Sequence, residues 1–155
     1  MTPAQQTALE GLVGRSLTAE EVTAIDAHLP NRRDDLIAQV LSAGRVRVVK
    51  TNGGIGTVLE TLGPLDGAAV LDGLEAIKAG NAAVKWAWYL IERGELDFGS
   101  PATRGMIDQL VAGGALPAAA GAALKAVAEV PNPIAVGQVS DALNVAEGRL
   151  TLGGL

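Results

Sequence analysis

NRRDDLIAQVLSAGRVRVVKT, residues 31–51, changes its hydrophobic period at Gly44, and that change sets the architecture to expect. Before the glycine the run is amphipathic and helical. Asn31 is placed to accept a backbone N–H as N-cap, Asp34 and Asp35 put anions in the first turn where the helix dipole favours them, and Gly44 is a left-handed stop. After the glycine the residues alternate. Val46 and Val48 point one way, Arg45 and Arg47 the other, which predicts a half-buried strand or arm with a cationic face.

Helix starts and stops of the same kind recur on both sides. Thr2-Pro3 reads as an N-cap with proline at the first helical position, and that helix runs through Leu9, Leu12 and Val13 to Gly14. Thr18 and Glu21 have capping-box spacing, with Val22, Ile25 and Leu29 on one face before Pro30. Asn52-Gly53-Gly54 reads as a turn. Beyond it helices are expected over Ile55 to Leu62, about Asp66 to Ala79, from Asn81 to Gly94, from Ser100-Pro101, from Pro117, and over Ala135 to about Ala146. The expected fold is mainly α, about eight short helices with one short extended segment or hairpin near residues 45–56. A single helical domain over 1–147 and a C-terminal tail over 148–155 complete the outline.

Composition narrows the function. Of 155 residues 48% are hydrophobic and 19% charged, which suits a packed core and not a disordered chain. Aromatics are only 3%, so the core is built from small side chains. With no Cys, disulfides and thiolate metal sites are excluded. No secretory signal is read at the start, and no stretch approaches the ~20 apolar residues needed to span a bilayer, so no membrane role is expected. Residues 1–50 balance six acids with six bases, whereas residues 51–155 carry eleven acids against six bases and thus the whole net charge of −5. That distribution argues against nucleic-acid binding by the chain as a whole, because counterion release needs a concentrated positive surface.

Reactive side chains are scarce. His28 is the one histidine, and its place at a helix end beside Leu29 and Pro30 fits contact with terminal carbonyls better than a base. Glu20-Glu21 and Asp34-Asp35 are ordinary first-turn charges. Gly54-Ile55-Gly56 superficially suggests a dinucleotide loop, but Leu59 stands where the third glycine belongs and no strand–helix units follow. No catalytic residue, cofactor or metal is expected, and the chain is expected not to be an enzyme.

Two features point to partners. Trp86, Trp88 and Tyr89 are three of the four aromatics, and the 3.6-residue period puts Trp86 about 160° around the helix from Trp88. Trp88 joins Val84 and Ile91 on the core side. Either both tryptophans pack in a two-sided buried helix, or Trp86 and Tyr89 face a partner subunit. The basic residues Arg45, Arg47 and Lys50 likewise form either a solvated edge that discourages sheet aggregation or an arm that meets a neighbour's sheet edge or acidic surface. The acidic remainder of the same chain could supply that surface, which favours self-assembly in a ring.

The order of NRRDDLIAQVLSAGRVRVVKT, AAVKWAWYLIERGELDFGSPATRGMIDQL and AALKAVAEVP, covering Asn31 to Pro131, resembles a diverse family of small helical proteins encoded among the structural genes of tailed bacteriophages. Shared features are the early helix with Asn, the Val-rich basic segment, the Trp-containing helix, an Arg before a helix with Ile and Asp, and the alanine-rich helix. The resemblance implies a virion or assembly protein of the neck or tail, present in several copies and contacting itself and other virion tail or neck proteins. It implies a place in the virion, and in the host cytoplasm before assembly. By position Arg45, Val46, Arg47, Val48 and Lys50 match the extended segment, Trp86 the aromatic helix and Arg104 the helix after Pro101. The chain departs from that pattern in its few aromatics and its high Ala and Gly content. The partner-binding candidates are therefore Arg45, Arg47, Lys50, Trp86, Tyr89 and Arg104. The alternative expectation is a small intracellular binding or regulatory module acting on a host protein.

Overall fold

The computed structural model describes residues 1–149, and the fold is mainly α, with nine α-helices and four very short strands among those residues. The chain forms two compact units, one from residues 1–46 with the segment from 131 onward, the other from residues 47–130. It passes from one to the other within two strands, β1 (Val46–Val48) and β4 (Glu129–Pro131), which pair. Residues 150–155, most of the expected tail, lie outside the described residues.

The first unit holds α1 (Pro3–Val13), α2 (Ala19–His28), α3 (Asp34–Ser42) and α9 (Val136–Ala146). Thr2 and Thr18 make full capping boxes with Gln5 and Glu21, so two orphan N–H groups are satisfied at each helix start. The apolar stripes of the four helices meet in a core of Leu9, Ile25, Ile37, Leu41, Ile134, Val139 and Leu143. At the end of α3 the Ser42 hydroxyl accepts the Ile134 N–H at 2.9 Å, fixing the approach to α9.

The expected Asn31 cap is not made. Residues Leu29–Asn31 continue α2 as a 3-10 turn, and α3 starts at Asp34 with Arg33 in the cap position and no side-chain cap. The cause is Arg32, left-handed at φ 48°, whose guanidinium reaches Asp34, Asn144 and Glu147. Those bonds set the reversal between α2 and α3, and the helix restarts two residues late. Gly44 does take the left-handed angle expected of it, φ 68°.

The second unit contains α4 (Ile55–Leu62), α5 (Pro64–Ile77), α6 (Ala82–Arg93), α7 (Pro101–Ala112) and α8 (Ala118–Ala126). Asn81 caps α6 by accepting from the Ala83 and Val84 N–H groups, and Ser100 caps α7 through Thr103. Their core comprises Val58, Leu74, Val84, Trp88, Ile91, Phe98, Ile107 and Leu124, with neighbouring apolar residues.

The extended segment near 45–56 divides into β1 and β2 (Asn52–Gly53), each paired with a strand far along the chain. Asn52 and Gly53, expected in a turn, lie antiparallel to Asp97 and Leu96 of β3 (Leu96–Asp97). This pairing leads into Phe98, fully buried and the chain's one phenylalanine. Gly54 has its own reason. A Cβ there would come within 2.6 Å of the Ile91 carbonyl oxygen, so the glycine lets the start of α4 press against the end of α6, a packing role and not a phosphate loop.

Candidate partner-binding surface

Trp86 and Tyr89 stand on α6, three residues apart and hence on one helix face. Their rings meet edge to face, centroids 6.3 Å apart. Trp86 is 63% exposed and Tyr89 49%, while Trp88 is 8% exposed in the core, its indole N–H donating to Glu92 at 2.8 Å. The helical period thus separates the two tryptophans, and the doubly buried arrangement does not occur. The Lys85 ammonium lies 5.6 Å from the Trp86 ring centre and the Arg93 guanidinium 5.1 Å from that of Tyr89. Arg93 also donates to the Tyr89 hydroxyl at 2.8 Å and pairs with Glu95, which raises its pKa and keeps it charged. Two aromatics flanked by two cations hold each other in place at the surface, and such rigid aromatic anchors carry most of the energy at protein interfaces.

The basic residues do not form one strip. Arg45 is engaged inside the first unit, donating to the carbonyl oxygens of Val13 at 2.9 Å and Asn132 at 3.4 Å, so it closes α1 against the segment before α9. Arg47 and Lys50 are exposed. The Asp97 carboxyl, which accepts from Thr51 and Gly99, is held below the usual carboxylate range by the Thr51 N–H first, then by the Gly99 N–H and the charge of Lys50. The strand expected around Val46 and Val48 forms, but no core closes over its apolar face. Both are about half exposed, 50% and 46%, because β1 belongs to a ribbon of only two strands and its apolar side chains are left uncovered.

Arg104 is occupied as well. From α7 it donates to the Lys125 carbonyl oxygen at 2.9 Å and to Glu129 at 2.6 Å, tying the end of α8 to β4. Of the six candidates, Trp86 and Tyr89 come together, Arg47 and Lys50 are open, and Arg45 and Arg104 are spent within the chain. Sequence reasoning missed Lys85 and Arg93 as companions of the aromatics; the four-residue spacing of Tyr89 and Arg93 on a helix was a usable signal, whereas adjacent residues such as Lys85 and Trp86 do not share a helix face.

No converging polar groups mark a reaction centre in the second unit's core. Its internal void, about 30 Å³ between Val58, Leu74, Trp88, Ile91 and Phe98, has an apolar lining that offers a water almost nothing to bond. His28 makes no side-chain hydrogen bond among the described residues, and there no three His, Asp or Glu side chains come together as a metal site would need. No helix described is long and apolar enough to cross a membrane. No protein-family model, curated protein or solved structure matches the chain.

Proposed function

We propose that the chain is a non-enzymatic structural and assembly protein of a tailed-phage particle, of the tail or neck, acting through contacts with copies of itself and with neighbouring virion proteins. The observation that carries the reading is the exposed Trp86–Tyr89 pair, braced by Lys85 and Arg93 on a capped helix. An indole and a phenol left in water cost free energy that a partner's surface recovers, roughly 25 cal/mol for each Å² of apolar area covered. The resemblance in the order of the basic segment, the Trp helix and the alanine-rich helix supplies the particle as the setting.

Mass measurement on purified virions is the decisive test: the chain should be present as a particle component, and its absence removes the assignment. If a pull-down instead returns one host protein while particles form normally without the gene, the chain is a host-directed binding module. Within the leading reading, Arg47→Glu combined with Lys50→Glu should leave the helical circular dichroism unchanged and impair assembly. Arg45 is unsuited to that test because it is engaged with the Val13 and Asn132 carbonyls, so its replacement tests folding as well as assembly.

A further inference from the structure

The second unit carries both halves of a contact. On α6 the Trp86 indole projects with Lys85 beside it, and Lys85 has no carboxylate partner among the described residues. Between α4, α5 and α8 lies a groove of about 490 Å³ lined by Thr61, Leu62, Asp66, Ala69, Pro117 and Ala119. Its walls are mostly apolar and small, and its one charged group, Asp66, has no basic partner among the described residues. Leu65, next to Asp66, is 85% exposed, the barest large apolar side chain described.

We infer that Trp86 of one copy seats in the α4–α5–α8 groove of a second copy, with Lys85 meeting Asp66, so that copies join head to tail. The occupant is specified by charge as well as by shape: an unpaired cation borders the knob and an unpaired anion lines the hole. A neutral aromatic from elsewhere would leave Asp66 facing apolar surface uncompensated, a penalty that complementary charge removes. In this head-to-tail arrangement the contact is heterologous, and each added copy presents a fresh Trp86 and a fresh groove. Such contacts close into rings or run on as filaments. A single indole covers roughly 150–250 Å², well below a standard interface, so the pairwise contact is weak and depends on repetition.

The inference rests on the self-association part of the function proposed above, and the purified chain tests it apart from any particle. Sedimentation up to about 0.5 mM protein should show species beyond the dimer, and tryptophan emission should shift to the blue with concentration as Trp86 leaves water. Trp86→Ala should weaken association by about thirtyfold or more, as loss of a central anchor does. Ala119→Arg fills the groove from an exposed position and should do the same while keeping Trp86 as reporter. Asp66→Lys is the second groove variant, should Ala119→Arg disturb α8. Mixing Trp86→Ala with a groove variant should give a one-to-one heterodimer and nothing larger, because one intact knob meets one intact hole. A wild-type chain that remains monomeric, or a mixture that associates no better than its parts, overturns the contact, and a wild-type chain that stops at the dimer overturns its head-to-tail form. A chain found in virions yet monomeric in solution sinks this contact and spares the proposed function, whereas a self-associating chain absent from virions does the reverse.

Discussion

Arg32 occupies a left-handed backbone angle that costs a non-glycine residue roughly 1–2 kcal/mol, and its bonds to Asp34, Asn144 and Glu147 offset that strain. Arg32→Ala keeps the strain and loses the bonds; Arg32→Gly loses the bonds but relieves the strain. The alanine variant should therefore be the less stable by about 1 kcal/mol, as denaturant midpoints will show, and equal midpoints would mean the angle carries no strain. Glu21 gives a pH prediction. The Arg15 guanidinium foremost, with the Thr18 N–H, pulls its carboxyl down to about 2. A depressed carboxylate stabilises the fold above its ordinary pKa of about 4.3 and loses that contribution as pH falls toward the folded value. Glu21→Gln keeps the capping geometry without the ion pair, so stability of the variant should fall less than wild type between about pH 4.3 and pH 2. The Arg15 side of the pair is half exposed to solvent, and at neutral pH the difference should stay within about 1 kcal/mol. At Gly54 an added methyl meets the Ile91 backbone, and Gly54→Ala should cost about 1–3 kcal/mol in thermal or denaturant unfolding.

Helix α6 shows what a sequence discloses about an element. Its cap at Asn81, its end at Gly94 and the opposed faces of Trp86 and Trp88 all follow from local spacing, and the structure agrees with each. Iodide should quench one tryptophan and spare the other; Trp86→Ala should abolish the quenched component and change stability by no more than about 0.5 kcal/mol. Trp88→Phe should remove the shielded component. Accessible emission from both residues in the wild type would contradict the burial difference. The caps at Thr2, Thr18 and Ser100 were legible for the same reason, since each lies within three residues of what it caps. Partners distant in sequence were not. The strands β3 and β4 are two and three residues long, too short for a period, and exist only because β2 and β1 reach them. Arg45 looked free until Val13 and Asn132 were brought to it, and Arg104 until Glu129 was. The groove beside Asp66 is likewise assembled from three helices, none of which announces it alone.

The division into two units is a whole-molecule property that hydrophobic periodicity does not encode, because a stripe on a helix says that it is buried and not against which helix. The second unit has its own core and continuous sequence, so residues 47–130 alone should fold with helical circular dichroism and a cooperative unfolding transition. A fragment without a cooperative transition would show that the unit depends on the rest of the chain. The first unit is discontinuous, and this has a consequence during synthesis. Val139 and Leu143 of α9 complete a core whose early members, Leu9, Ile25, Ile37 and Leu41, emerge from the ribosome about a hundred or more residues earlier. At 5–20 residues per second the wait is about 5–20 s. The inserted segment can finish folding in that interval, while the leading three helices stay uncovered and vulnerable to chaperone capture or misassociation until the last helix arrives.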